Sequence, residues 1–315
     1  MHLRRRLLAA ALVTATTLCA CGDSSTTLTV DVYKKDVVAD DGYTLTAFDL
    51  HLHGQPRDET PHAWMFYLVG SEPVAVREST SQYASLVAQG FVVVLLQPRG
   101  VAADGTIDQD EFWKYDLRQR RVADQVAVMD AYLANNSRPV LLAGTSQGGV
   151  VAAGIAATDP RISHLLMMAS GGGWTQAEEL TLFVQRGEGP PRITTVAELE
   201  AKFAEIRAKP DSSELWAGHP FRMWSSYLWF RPMDGLLPLD IPIFLAQGQA
   251  DKASPVESAR AMRDEFEKLA KSNLSYAEYP GLNHHFANEA GESRLVDLQQ
   301  DAFVWMSKTG LLESR

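Results

Sequence analysis

Long apolar runs recur along the chain at intervals that leave room for a helix between them. Runs that are apolar at nearly every position are typical of strands buried on both faces of a parallel sheet. They lie at residues 63–69, 91–97, 139–143, 162–169 and 241–247. A last strand is predicted at 274–279. Two earlier segments, 28–39 and 43–53, alternate in polarity, and the Asp-Asp-Gly sequence between them predicts a β-hairpin.

Helical periodicity fills the intervals between these runs. Val122, Val126, Met129 and Leu133 are spaced as one face of a helix over 112–135. Further helices are predicted at 80–89, 255–271 and about 291–308. Strands that alternate with helices predict an α/β fold, with a mostly parallel central sheet and helices on both of its faces.

Residues 174–237 break the alternation, because they contain no strand-like run. The Thr195-Val-Ala-Glu198 sequence is a capping box, and it predicts a helix that ends near Pro210. An aromatic cluster follows at Trp216, Phe221, Trp224, Tyr227, Trp229 and Phe230. We interpret the segment as a helical cap insertion over the end of the sheet. Most of these aromatic side chains are expected to pack the cap onto the core, and one or two to line a substrate pocket.

The first 20 residues have the composition of a signal peptide, with three arginines at 4–6 and an apolar stretch that ends at Leu18. That stretch is too short to span a membrane. The Leu-Cys-Ala-Cys sequence at 18–21 resembles a bacterial lipoprotein signal, which implies cleavage before Cys21 and a lipid on its sulfur. Residues 21–27 then form a lipidated tether to a domain at 28–315. We expect a location at the cell envelope, on the periplasmic or extracellular face; the alternative is an ordinary secretory signal cleaved elsewhere.

The net charge of −10 argues against nucleic acid as a partner. Both cysteines precede residue 22, so we expect a domain without disulfides, which a chain of 315 residues is long enough to allow. No metal or other cofactor is predicted. His51 and His53 share a strand face but have no third ligand nearby in the sequence, and we interpret them as surface histidines. His164 and His219 also have no predicted role.

A candidate nucleophile lies between the strand at 139–143 and the small-residue helix that follows it. Residues 144–149 read Gly-Thr-Ser-Gln-Gly-Gly, which is the strand, tight turn and helix that a nucleophile elbow requires. Glycine at 144 and 148 removes side chains that would clash in so sharp a bend. The alternative is a glycine-rich turn that binds a phosphate, although the lysine of a Walker sequence is absent. The turn therefore presents Ser146 at the end of a sheet.

Two later loops offer the partners that a serine nucleophile needs, a base and a carboxylate that orients it. Asp251 follows the strand at 241–247, and His284 and His285 follow the strand at 274–279. Ligands of open α/β sheets bind beyond the carboxyl ends of the strands. The alternatives are a loop-capping aspartate and a structural histidine.

The three segments Gly-Thr-Ser-Gln-Gly-Gly, Gly-Gln-Ala-Asp-x-x-x-Pro and Gly-Leu-Asn-His-His-Phe resemble the α/β-hydrolase family of serine hydrolases, over nearly the whole domain. This resemblance implies a triad of Ser146, Asp251 and His284, in the family's chain order, with His285 as the alternative base. It also implies an oxyanion hole made by the backbone amides of Gln147 and Ser71. The chain has Val-Gly at 69–70 where many members have His-Gly.

The expected substrate is a small molecule or a peptide, and the expected reaction is hydrolysis of a carboxylic ester through an acyl-enzyme on Ser146. The same triad could act as a peptidase or amidase, or as an acyltransferase that passes the acyl group to an acceptor other than water. A lipoprotein that kept the fold but only binds its ligand is a further alternative.

Overall fold

The computed structural model describes residues 28–57 and 59–312. Eight of its strands form one sheet, in the order β1-β2-β4-β3-β5-β6-β9-β10. These strands are β1 Val30–Val38, β2 Thr44–Leu52, β3 Ala63–Leu68, β4 Phe91–Leu96, β5 Val140–Thr145, β6 His164–Met168, β9 Ile243–Gly248 and β10 Leu274–Tyr279. The strands from β4 to β10 pair in parallel, whereas β1 and β2 pair antiparallel, as the hairpin prediction requires.

The central strands are buried on both faces, as their apolar runs predict. Every residue of β5 up to Gly144 is buried, and every residue of β9 is buried. A strand can be apolar throughout only where helices cover both faces of its sheet. The predicted α/β fold, with a mostly parallel sheet and helices on both of its faces, is therefore confirmed.

Ten α-helices accompany the sheet in the described residues. They are α1 Ala84–Val87, α2 Gln109–Tyr115, α3 Arg118–Leu133, α4 Gln147–Ala156, α5 Gln176–Gln185, α6 Val196–Ala208, α7 Phe221–Tyr227, α8 Pro232–Leu236, α9 Val256–Lys268 and α10 Leu295–Lys308. Two hydrophobic cores lie on opposite faces of the sheet: α3, α4 and α9 contribute to one, and α1 and α10 to the other. The two cores hold the carboxyl ends of β3, β5, β9 and β10 in fixed positions.

The single helix predicted over 112–135 is two helices, α2 and α3. The break falls at Asp116 and Leu117, whose backbones leave the helical conformation. Instead of continuing the helical ladder, the amide of Arg118 donates a hydrogen bond of 3.1 Å to Ser226 Oγ in the segment over the sheet. A contact with a residue distant in sequence therefore sets the start of α3.

The segment between β6 and β9 is mainly helical and contains α5, α6, α7 and α8. The capping box at Thr195 and Glu198 is present, and Leu199, Phe203 and Ile206 of α6 are buried. The segment also contains a hairpin of two short strands, β7 Leu215–Trp216 and β8 His219–Pro220, where the sequence shows no strand-like run. Trp224 Nε1 donates a hydrogen bond of 2.8 Å to Trp216 O, which ties this hairpin to α7.

The predicted signal peptide at 1–20, the lipidation of Cys21 and the tether at 21–27 lie outside the described residues. Across residues 28–57 and 59–312, we find no helix with the length and apolar character needed to cross a bilayer.

Candidate active site

Ser146 occupies a sharp turn between β5 and α4. Its backbone has φ 55° and ψ −128°, which non-glycine residues rarely adopt and which costs on the order of 1–3 kcal/mol. The amide of Ser146 donates a hydrogen bond of 2.8 Å to Met168 O at the end of β6. A Cβ atom on Gly144 would lie 2.4 Å from the carbonyl of Gly148, and one on Gly148 would lie 2.2 Å from Leu68 O. The two glycines therefore let the turn close against β3.

Asp251 and His284 form a hydrogen-bonded pair at the ends of β9 and β10. His284 Nδ1 lies 2.8 Å from Asp251 Oδ2 and 3.0 Å from Oδ1. The carboxylate, which is 6% exposed, also accepts hydrogen bonds from the amides of Ala253 and Ser254 and from Gln247 Nε2, at 2.8–2.9 Å. Three donors from its own loop and strand thus fix the carboxylate, which in turn orients the imidazole.

Ser146 and His284 line one cavity of about 830 Å³, which we call the outer cavity. With Nδ1 directed at the carboxylate, the Nε2 edge of His284 is the one available to act on the serine. His285 also lines the outer cavity, and its ring packs edge-on against the ring of His284, with centroids 5.5 Å apart. The structure thus pairs His284 with Asp251 and places His285 beside the pair.

The two predicted oxyanion donors lie on either side of Ser146. The amide of Gln147 is the first of α4, so it has no acceptor within the helix. Ser71 lines the outer cavity together with Ser146. The loop before it is in contact with Ser146, because a Cβ atom on Gly70 would lie 3.5 Å from Ser146 Cβ and 4.0 Å from its Oγ.

Arg121 joins these two sides, and the sequence analysis missed it. Its Nη1 donates to Gly70 O at 3.1 Å and to Gln147 Oε1 at 2.9 Å, and its Nη2 donates to Val69 O. Asp116 lies 3.5 Å away as a counterion, and burial raises the pKa of this carboxyl to about 6. The sequence signal for a buried Arg121 was weak. Arg121 lies one turn before Gln125 and two turns before Val128, so it shares the face of α3 that contains these buried positions.

A second cavity lies under the helical segment and also reaches Ser146. This inner cavity has a volume of about 150 Å³ and shares Ser71, Ser146 and Ala253 with the outer one. Of the six clustered aromatic residues, Trp224, Tyr227 and Phe230 line it. Trp216 and Phe221 are buried in the core instead. Three of the six aromatic residues thus line the cavity, one more than the one or two that we expected.

Residues 40–298 match the sequence profile of the Alpha/beta hydrolase family. The chain belongs to this family. Family membership supports a hydrolase activity. A search of curated proteins finds no match to this chain.

Solved structures share the fold of this hydrolase at low sequence identity. One is DcsB in complex with its substrate analogue, with 17% identity, a TM-score of 0.60 and coverage of 89% of this chain and 99% of that one. Another is an acylaminoacyl peptidase from Pyrococcus horikoshii, with 11% identity, a TM-score of 0.61 and coverage of 91% of this chain and 42% of that one. A third is an esterase from Pyrococcus furiosus, with 13% identity, a TM-score of 0.59 and coverage of 89% and 91%.

The inner cavity of the hydrolase contains two titratable residues that the sequence analysis did not place at the site. Burial raises the pKa of Glu179 on α5 to about 8, and the nearby charge of Asp251 acts in the same direction. Burial lowers the pKa of His219, which therefore stays neutral around pH 7. The cavity is thus an environment that disfavours charge unless a ligand supplies the opposite one.

His51 differs from its interpretation as a surface histidine. It is buried, and its Nε2 lies 2.8 Å from Asp49 Oδ2. His53 is exposed, and its Nδ1 lies 2.9 Å from Asp31 Oδ1. Among the residues that the structure describes, no group of three or more His, Cys, Asp or Glu side chains is arranged to hold a metal ion.

Proposed function

We propose that this protein is a serine hydrolase that cleaves a carboxylic ester through an acyl-enzyme on Ser146. The observation that carries the proposal is the pairing of His284 Nδ1 with Asp251 at 2.8 Å, at the edge of the cavity that contains Ser146. The strained backbone of Ser146 supports it further, since strain of this kind is typical of functional residues.

In the first half of the reaction, His284 Nε2 takes the proton of Ser146 Oγ as the oxygen attacks the ester carbonyl. Asp251 holds the proton on Nδ1 and stabilises the imidazolium that forms. The carbonyl oxygen becomes an oxyanion, which accepts hydrogen bonds from the amides of Gln147 and Ser71; each donor contributes roughly 3 kcal/mol. When the carbon–oxygen bond breaks, the alcohol leaves with the proton from His284.

In the second half, water attacks the acyl-enzyme while His284 takes one of its protons. The same two amides receive the second oxyanion, and Ser146 leaves with the proton from His284. We propose an ester rather than a peptide because resonance stabilises an ester carbonyl less than an amide carbonyl, so Ser146 attacks an ester more readily. The substrate is a small molecule, and neither a metal nor a cofactor takes part in the proposed reaction.

Active-site labelling tests this proposal. A fluorophosphonate probe should label the domain at 28–315, and the Ser146→Ala variant should not be labelled. Ser275→Ala, which changes an exposed serine on β10, is the matched control and should be labelled like the wild type. Equal labelling of wild type and Ser146→Ala would exclude Ser146 as the nucleophile. A series of p-nitrophenyl esters and aminoacyl nitroanilides then separates esterase from peptidase activity.

We also propose that Cys21 carries a lipid that anchors the hydrolase at the cell envelope. The Leu-Cys-Ala-Cys sequence at 18–21 supports this. Cells given labelled palmitate should incorporate the label into the full chain and not into the Cys21→Ser variant. Equal incorporation into both would exclude the anchor.

A further inference from the structure

The inner cavity contains a carboxyl group that the proposed mechanism does not use. Glu179, in the first turn of α5, lines this cavity together with Ser146 and is only 8% exposed. Its Oε1, Ser254 Oγ and Ser258 Oγ all lie around Gly171, where a Cβ atom would come within 2.5–2.8 Å of them. Asp251 already acts as the acid of the triad, so Glu179 needs a different explanation.

Glu179 has a hydrogen bond with Ser258, whereas three polar atoms of the cavity wall lack hydrogen-bond partners in the described structure. They are Gln176 Oε1, His219 Nδ1 and Ser254 Oγ. Buried polar atoms in folded proteins are nearly always paired, because leaving one unpaired loses its hydration without compensation. Three such atoms around one small cavity favour a ligand with hydrogen-bonding groups.

The remaining side chains define the charge of that ligand. Four of them are aromatic, namely Trp174, Trp224, Tyr227 and Phe230. Arg118 already stacks on the ring of Phe230 from outside the cavity, and the residues that line the cavity include neither lysine nor arginine. A carboxylate forms strong hydrogen bonds with an ammonium group, and aromatic faces attract the same cation. Burial raises the pKa of Glu179 to about 8, so an ammonium group also relieves the cost of ionising this carboxyl.

The volume of the cavity limits the size of the ligand and its distance from the nucleophile. At about 150 Å³, the inner cavity is smaller than the roughly 300–1,000 Å³ typical of sites for drug-sized ligands. Since Ser146 lies in its wall, a group bound there is only a few atoms from the carbonyl carbon that Ser146 attacks.

We propose that the inner cavity is a subsite for a positively charged amino group on the acyl part of the substrate, with Glu179 as its carboxylate partner. The proposal rests on the proposed hydrolase function and specifies its substrate class: esters of small amino acids with a free amino group. Glu179 contacts the substrate here and takes no part in proton transfer.

The test compares benzyl esters of three acids of nearly equal size: alanine, 2-methylpropanoic acid and lactic acid. They place an ammonium, a methyl and a hydroxyl group at the same position, and release of benzyl alcohol reports hydrolysis. The α-ammonium group activates an ester carbonyl even without an enzyme, so each kcat/KM is divided by the rate constant for hydroxide hydrolysis of the same ester. For the wild type, this corrected value for the alanine ester should exceed that for each of the other two by about tenfold to a hundredfold, the range expected for a hydrogen bond to a charged group. Equal values for all three esters, or equal values for the alanine and lactate esters, would overturn the proposal.

Two variants assign the preference to its residue. Glu179→Gln should bring the corrected ratio of alanine to 2-methylpropanoate hydrolysis to about one, whereas Glu200→Gln removes an exposed carboxylate of α6 and should keep the wild-type ratio. Fluorophosphonate labelling of Ser146 checks that the triad of Glu179→Gln is intact. The wild-type ratio decides the substrate class even if this variant does not fold. Absence of labelling and of hydrolysis of all three esters would contradict the hydrolase proposal itself, whereas labelling without a preference contradicts only the subsite.

Discussion

Arg121 Nη1 lies 2.9 Å from Gln147 Oε1. Gln147 is the first residue of α4, and its backbone amide is one of the two proposed oxyanion donors. The same guanidinium donates to the carbonyl oxygens of Val69 and Gly70, in the loop that leads to Ser71. One side chain, 17% exposed, therefore holds both proposed oxyanion donors at a fixed separation. Preorganised donors are effective because they need not rearrange as charge develops.

Replacing Arg121 should therefore lower the rate of the chemical step more than substrate binding. We expect Arg121→Met to reduce kcat by about tenfold to a hundredfold, with a smaller change in KM. This is less than the roughly 10²–10³-fold loss caused by removal of an oxyanion donor itself, because both amides remain. Arg121→Lys keeps the charge but lacks the planar fork, so it should restore only part of kcat. Steady-state kinetics on a short-chain ester measure both. A rise in KM alone, with kcat unchanged, would show that Arg121 acts on substrate binding.

The two adjacent histidines should differ in their effect on activity. His284→Ala removes the proposed base, and Asp251→Asn favours the wrong tautomer of His284; each should lower kcat by about 10³–10⁴-fold. His285→Ala should lower kcat by less than about tenfold, because its ring packs on His284 and Asp251 pairs with His284. Activity of the three variants on one ester tests this. A larger loss in His285→Ala than in His284→Ala would reassign the base.

Two glycines of the same helix should respond to alanine with opposite signs. A Cβ atom on Gly148 would lie 2.2 Å from Leu68 O, so Gly148→Ala should destabilise the fold by roughly 1–3 kcal/mol and distort the elbow. A Cβ atom on Gly154 would make only contacts of 3.4 Å or more, so Gly154→Ala should stabilise α4 by about 0.5–1 kcal/mol. Urea unfolding measures both free energies. A stable, active Gly148→Ala variant would mean that β3 does not confine the turn.

Glu179 should make the stability of the protein depend on pH. Burial raises the pKa of this carboxyl from 4.5 to about 8 in the folded state. The contribution of Glu179 to the free energy of unfolding is therefore greatest below pH 4.5. It is lost as the pH rises to 8, by at most about 1.4 kcal/mol per pH unit. Glutamine cannot ionise, so Glu179→Gln should gain stability over the wild type between pH 5 and pH 8. Urea midpoints of both proteins across this range measure the gain. If the difference in stability between wild type and Glu179→Gln is the same from pH 5 to pH 8, the pKa of Glu179 lies near its ordinary value.

The parts of the molecule that could be predicted from the sequence are those that a local pattern determines. Apolar runs predicted β3 to β6 and β9 because burial on both faces leaves no polar position, and the capping box predicted the start of α6 because both partners lie within four residues. The turn around Ser146 could be located because its glycines are adjacent in sequence. The catalytic roles of Ser146, Asp251 and His284 stay predictions until they are tested.

The parts that could not be predicted depend on partners distant in sequence. The break between α2 and α3 follows from a hydrogen bond between Arg118 and Ser226, and the position of Arg121 follows from the loop at Val69 and Gly70. Glu179 lies on α5 beside Glu178, which is exposed and accepts a hydrogen bond from the half-buried Arg231. Nothing in the sequence distinguishes the buried glutamate from the exposed one. Each strand of the β7–β8 hairpin has only two residues, which is too short to show the alternation of polarity that predicts a strand.

In the proposed reaction, the unequal cavities on either side of Ser146 give the two products separate sites. With the acyl part in the cavity of about 150 Å³, the alcohol occupies the one of about 830 Å³ and departs first. Incoming water then follows the vacated route, and the acid is the last product to leave. Any other alcohol that enters by the same route competes with water for the acyl-enzyme. In the proposed reaction, the access of water and of other alcohols through this larger cavity therefore sets how much of the acyl group is hydrolysed and how much is transferred.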